Sequence, residues 1–153
     1  MKQILIAVDE DLLAERVIRR GSELAQALDA TITVCHVMPE EHYRRVEEQQ
    51  IRENQSYPVT WAEAEARDVV EAALEGVPTA GLSIDVLGAV GDPAETIVEI
   101  AQRLDAEYIV MGFEGLRGLG RLRALGSVSR AVMERTKRPV VIVPAIDGGD
   151  DGG

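Results

Sequence analysis

Residues 112–138 differ from the rest of this chain. Gly112, Gly115 and Gly126 punctuate a stretch carrying Arg117, Arg121, Arg123, Arg130, Arg135, Lys137 and Arg138, against only two acids, Glu114 and Glu134. Glycines let backbone amides approach an anion without a side chain in the way, and the amino end of a helix adds unpaired N–H groups and a partial positive charge. Ser127 follows Gly126 where a helical pattern begins, and adds a hydroxyl. The chemistry these residues support is anion binding, phosphate in particular. A plainer reading stays open beside it: Arg135, Lys137 and Arg138 complement the carboxyl end of a helix, and glycines also terminate strands and helices. Setting those three cations aside still leaves four arginines around the loop.

Two named phosphate motifs fail on their residues. "GLRGLGRL" from Gly115 has glycines spaced as in a P-loop, but Arg121 and Leu122 stand where a lysine and a metal-binding hydroxyl are needed. The turn after the first strand, "VDEDLLAE", contains no glycine, which excludes the dinucleotide fingerprint. The pattern shows neither a nucleophile with base and orienting group nor a metal-ligand cluster, so dedicated catalysis is not indicated. His36, inside a buried strand, reads as a packed or backbone-bonded core residue, Cys35 as a small core residue, and Trp61 as packing for a helix.

Composition narrows the partners. Sixteen basic residues against 27 acidic ones give a net charge of −11, which argues against a general nucleic-acid binder. The single cysteine, Cys35, cannot form an internal disulfide, and the opening "MKQILIAVDED" lacks the pattern of a secretory leader, so a cytoplasmic location is expected. No apolar run reaches the roughly 18–20 residues that cross a bilayer. At 153 residues one domain is expected.

Five strands and the helices between them must position the loop. "QILIAVD" is a continuous apolar run and predicts a strand over 3–8 covered on both faces. Leu13, Val17, Gly21, Leu24 and Leu28 recur at helical spacing, predicting a helix over 11–29. "TITVCHV" and "SIDVLGAV" give strands at 31–37 and 83–90. Residues 39–60 read as a mobile loop or frayed helix whose charges form a solvated face, followed by a helix over 61–75. Asp92 as cap, Pro93 in the first helical position and Glu95 start another helix. A strand at 107–112, a helix at 127–137 and a strand at 139–143 complete the set, and the tail at 146–153 is expected to be disordered. Alternating strands and helices imply a single doubly wound, Rossmann-like α/β domain: a five-stranded parallel sheet with helices on both faces. In such sheets ligands bind beyond the strands' carboxyl ends, which is where the glycine loop begins.

The whole of 1–145 resembles the universal stress protein superfamily. The likeness lies in "ILIAVDED", "VCHV", "GDPAETIVEIA" and above all "IVMGFEG…LGSVSRAVMERTKRPVVIVP". The resemblance implies ATP binding through a G-x2-G-x9-G-[ST] signature around the phosphates, and pairing of the fifth strand across a homodimer. Carried over, it implicates Asp9 and the backbone of Val37 for the nucleoside, and Met111, Gly112, Gly115, Gly126, Ser127 and Val128 around the phosphates, with Mg²⁺ or Mn²⁺ arriving on the nucleotide. Asp9 has a second reading, as a cap on the following helix. Two features depart from the pattern: ten residues, 116–125, separate Gly115 from Gly126, and Phe113 and Glu114 stand where basic or small polar residues are usual. The implied function is a cytoplasmic, dimeric, nucleotide-dependent stress sensor or regulator with at most slow ATP hydrolysis. The alternative is a family member that binds no ATP and acts as a dimeric interaction module.

Overall fold

The computed structural model describes residues 1–113 and 127–145. Its strands are β1 (Gln3–Ala7), β2 (Thr31–Pro39), β3 (Ile84–Gly91), β4 (Tyr108–Phe113) and β5 (Val140–Pro144), all parallel, in the order β3-β2-β1-β4-β5. The described helices are α1 (Leu13–Leu28), α2 (Glu40–Arg52), α3 (Val59–Leu74), α4 (Pro93–Leu104) and α5 (Ser127–Arg135). The expected doubly wound α/β domain is what forms.

Side-chain alternation sorts the helices onto two faces. Ile4, Ile6 and Val8 point to one side and pack with Ala14, Val17 and Ile18 of α1 and Val70 of α3. Leu5 and Ala7 point to the other and pack with Ile97, Ile100 and Ala101 of α4 and Val132 of α5. Both faces of β1 are thus covered, which is why its run lacks polar alternation. Each fully buried Ile, Leu or Val contributes about 1.5–3 kcal/mol relative to exposure. The predicted cap is present: the Glu95 amide donates to Asp92 Oδ2 at 2.9 Å, with Pro93 in the first turn.

Two expectations are corrected. Residues 40–52, expected as a mobile loop or frayed helix, form the regular helix α2, although none of its residues is buried. Exposed ion pairs add local support: Arg44 pairs with Glu40 at 2.7 Å and Arg52 with Glu48 at 3.9 Å, both one turn apart, while Glu40 and Glu41 open the helix and Arg52 closes it in favour of its dipole. A narrow apolar stripe, Tyr43 and Val46, packs against the cluster of Met38, Tyr57, Ala62 and Ala66. Trp61, expected to pack, is 55% exposed in the first turn of α3. The tail at 146–153 lies outside the described residues.

Candidate functional site

Strand order reverses between β1 and β4, since the chain steps from β1 toward β2 and β3 on one side and returns to β4 and β5 on the other. The connections leaving the two carboxyl ends diverge, and a crevice opens between them. A pocket of about 350 Å³ sits there. It brings together Asp9 from the β1 exit, Val37 from the end of β2, Met111 and Gly112 from the end of β4, and Ser127 and Val128 from the first turn of α5. Gly115 and Gly126, like Glu114, Arg117, Arg121 and Arg123, lie outside the described residues.

Asp9 does not cap the helix that follows it. Asp11 does so, its Oδ1 accepting from the Leu13 and Ala14 amides at 3.0 Å each. The Asp9 carboxylate is 81% exposed at the pocket and accepts from the Glu10 amide at 2.8 Å. Beside it, the buried His36 ring donates from Nδ1 to the Val8 carbonyl at 2.9 Å, with Asp9 Oδ1 4.0 Å from the same nitrogen. A carbonyl only accepts, so Nδ1 carries the proton. His36 is therefore backbone-bonded, as its place in the strand suggests, but it also lines the pocket.

Gly112 has a packing reason for being glycine. A Cβ there would stand 2.6 Å from Val17 Cγ2 and 2.7 Å from Leu13 Cδ2, so the missing side chain lets α1 close onto the end of β4. Pro93 and Ile97 of α4, together with Phe113, also line the pocket, and sequence reasoning did not place them there. Pro93 and Ile97 were legible only as a helix start and a core stripe. The available signal was their place in the first turns of a helix that follows a strand's carboxyl end. Cys35 is fully buried and its thiol is pushed up to about 12 by burial, consistent with an inert core residue.

Charge gives the pocket a direction. On one side of Asp9 a second groove of about 560 Å³ runs between α1 and α3, lined by Glu10, Asp11, Glu15, Glu65 and Asp68. Like charges repel a phosphate from that side. The opposite wall is the amino end of α5, where Ser127, Val128 and Ser129 line the pocket and backbone N–H groups favour an anion. Among the described residues, no group of three or more His, Cys, Asp or Glu side chains is placed to hold a metal ion. None of the described helices is long and apolar enough to cross a membrane.

The comparisons with known proteins agree with this architecture. A universal stress protein of Synechocystis sp. is 28% identical over 158 aligned residues, covering 92% of this chain and 96% of its own. The solved structure of a universal stress protein from Archaeoglobus fulgidus in complex with dAMP superposes with a TM-score of 0.57 at 25% identity, covering 93% of this chain and 97% of that one. A universal stress protein solved in complex with cAMP, 24% identical, shares the fold with a TM-score of 0.60, covering 95% of this chain and 98% of its own. The family model described as Universal stress protein family matches residues 1–144, and with the doubly wound sheet and the switch-point pocket in place, this chain belongs to that family.

Proposed function

We propose that this protein binds an adenine nucleotide, ATP in the fullest form, in the pocket between β1 and β4, and acts as a nucleotide-dependent sensor or regulator in the stress response. The observation that carries the proposal is convergence: Asp9, Val37, Met111, Gly112, Ser127 and Val128, from four separate segments, line one pocket. In this reading the Asp9 carboxylate accepts from the ribose hydroxyls, the Val37 backbone meets the base, and the phosphates lie toward Gly112 and the start of α5, with Gly115 and Gly126 completing their cradle. The A. fulgidus relative bound to dAMP supports an adenine nucleotide as ligand. In this reading Mg²⁺ or Mn²⁺ enters on the phosphates, and no step is assigned to a metal.

The partner and location complete the proposal. β5 ends the sheet, and Val140, Val141 and Ile142 along it are only half-buried. An apolar edge of this kind is covered by pairing with its copy across a two-fold axis, giving a cytoplasmic homodimer. Thermal unfolding with and without Mg-ATP tests the ligand, because a ligand at 100 times its Kd adds about 2.7 kcal/mol and lifts the midpoint by several degrees. An unchanged midpoint at millimolar Mg-ATP, Mg-ADP and AMP rejects nucleotide binding. One observation favours the alternative of a nucleotide-free dimeric interaction module: the carboxylates on the described pocket wall, Asp9 and Asp11, oppose a triphosphate. Light scattering separates the two, since a dimer with no nucleotide response is the module.

A further inference from the structure

The hydrogen-bond ladder between β1 and β2 stops earlier than the backbone alone requires, and side chains stop it. In a parallel pair, every second residue of a strand turns its N–H and C=O toward a given neighbour. Cys35 faces β1: it stands opposite Ala7, and its carbonyl accepts from the Val8 amide at 2.9 Å. The next residue of β2 turned that way is Val37. Continuing the ladder would send the Val37 N–H to the Val8 carbonyl and the Glu10 N–H to the Val37 carbonyl. Both partners are diverted. His36 Nδ1 donates to the Val8 carbonyl at 2.9 Å, and Asp9 Oδ1 takes the Glu10 amide at 2.8 Å.

The consequence falls on the pocket. Val37 lines it, and the β2 alternation aims its main-chain donor and acceptor past the end of β1. Buried backbone groups require partners, so a ligand with an acceptor next to a donor is what such a pair receives. The base edge of adenine offers a ring nitrogen beside an exocyclic amino group, which matches in spacing and sense.

We propose that His36 is a positioning residue for the nucleotide site: by capping the Val8 carbonyl it ends the β1–β2 ladder and leaves the main-chain N–H and C=O of Val37 to read the base, with Asp9 making the matching cap on Glu10. The proposal rests on the nucleotide reading of the pocket. It explains why a histidine occupies a strand position that local pattern would fill with an aliphatic residue. It also gives the Asp9 carboxylate two tasks, one oxygen on the Glu10 amide and the other left for a ligand hydroxyl.

Two variants of the full chain test it. His36→Leu removes the donor and keeps an apolar filling, whereas His36→Asn retains an amide N–H close to the place of Nδ1. Amide exchange by NMR on the ligand-free protein should find Val37 exchanging faster than Cys35 and Met38 in the parent and in His36→Asn. In His36→Leu the Val37 amide should take the Val8 carbonyl and slow by about tenfold or more. Titration with AMP should find His36→Leu about tenfold weaker than the parent and His36→Asn within about twofold. A purely structural role would instead lower stability in both variants without moving Val37 relative to its neighbours, and that result overturns the proposal. So does a parent in which Val37 is already as protected as Met38. If the exchange pattern behaves as expected but the parent binds no AMP, the nucleotide reading fails and the base-reading role of Val37 falls with it, while the ladder cap by His36 stands.

Discussion

The carboxyl ends of β1 and β4 open onto a pocket that Val37 and Pro39 of β2 also line; the part of the same sheet around Met38 of β2 and Val90 of β3 is closed over. At the closed end Met38 packs with Tyr57, Ala62 and Ala66, and with Val90, Tyr43 and Val46 around them. The Tyr43 and Tyr57 rings stack with centroids 5.6 Å apart and 30° between planes. The single Tyr43 O–H is shared between Glu47 and the Tyr57 carbonyl, each at 3.1 Å, and Tyr57 donates to Glu65 at 2.7 Å. The difference follows from topology. β2 and β3 are consecutive neighbours, and the chain between them supplies Tyr43 and Val46 of α2 and Ala62 and Ala66 of α3 to the cluster around Met38 and Val90. From β1 and β4 the chain leads to helices on opposite faces, α1 on one and α5 on the other, and among the described residues a pocket lies between them. A strand's carboxyl end is therefore not a site by itself; the reversal of strand order makes it one.

If this contrast is right, substitutions at the closed end should cost stability and leave ligand affinity alone, and substitutions at the open end should do the reverse. The largest effect is expected for Tyr57→Ala, which empties a buried aromatic position: about 3–5 kcal/mol, lowering Tm by roughly 10 °C, with AMP affinity unchanged below the transition. A greater loss of affinity than of stability would break the comparison.

Two of the tightly packed glycines, Gly88 and Gly112, sharpen it next. A Cβ on Gly88 would run into the Glu63 carbonyl and stand 2.6 Å from the Arg67 amide, backbone of α3 that cannot give way. The nearest described atoms to a Cβ on Gly112 would be side-chain atoms of Leu13 and Val17. Urea denaturation should therefore put Gly88→Ala at about 3 kcal/mol and Gly112→Ala at about 1 kcal/mol. Equal costs would mean that α1 is as rigidly seated at the open end as α3 is at the closed one.

Asp9→Asn should behave in the opposite way to both. It keeps an acceptor for the Glu10 amide and removes the charge, so AMP affinity should fall about tenfold, as for one charge-assisted hydrogen bond. Stability should shift by less than about 0.5 kcal/mol, because the side chain is exposed. Calorimetric titration checks the first and urea the second; a stability loss without an affinity loss would return Asp9 to a structural role.

The smallest effect at neutral pH is a titration. Burial, then the hydrogen bond and charge of Glu65, push the Tyr57 phenol up to about 12 from 10.0, and burial takes Cys35 to about 12 from 9.0. Both groups hold their protons in the fold at pH values where the unfolded chain has lost them, so their contribution to stability is complete below pH 9 and declines as pH rises toward 12. Urea midpoints from pH 8 to 11 should show the decline in the parent and a shallower one in Tyr57→Phe. Identical slopes would remove Tyr57 from the account.

Much of this molecule was written locally. The five strands were legible because a strand covered on both faces is a short continuous apolar run, and α1 and α4 because their apolar residues recur at 3.6. The Asp92 cap was legible because its chemistry lies within four residues of chain. α2 was legible only as a loop or frayed helix because its apolar stripe, Tyr43 and Val46, is two residues long in a run of charged and polar ones. Gly112 and Ser127 stood out by their glycine-loop chemistry and Asp9, Val37, Met111 and Val128 by a motif resemblance, and the sequence had no means of showing that they share a pocket.

What tertiary structure alone decided are matters of close approach between residues far apart in the chain. Gly112 and Gly88 are glycines because helices remote in sequence press on them, one with side-chain tips and the other with backbone. Asp11 rather than Asp9 caps α1 because the turn sets which carboxylate meets the Leu13 and Ala14 amides. His36 reaches the Val8 carbonyl, 28 residues away, only once β1 and β2 are side by side. Periodicity records which face of an element is buried; it carries no record of what waits on the other side, and a binding site is made of that.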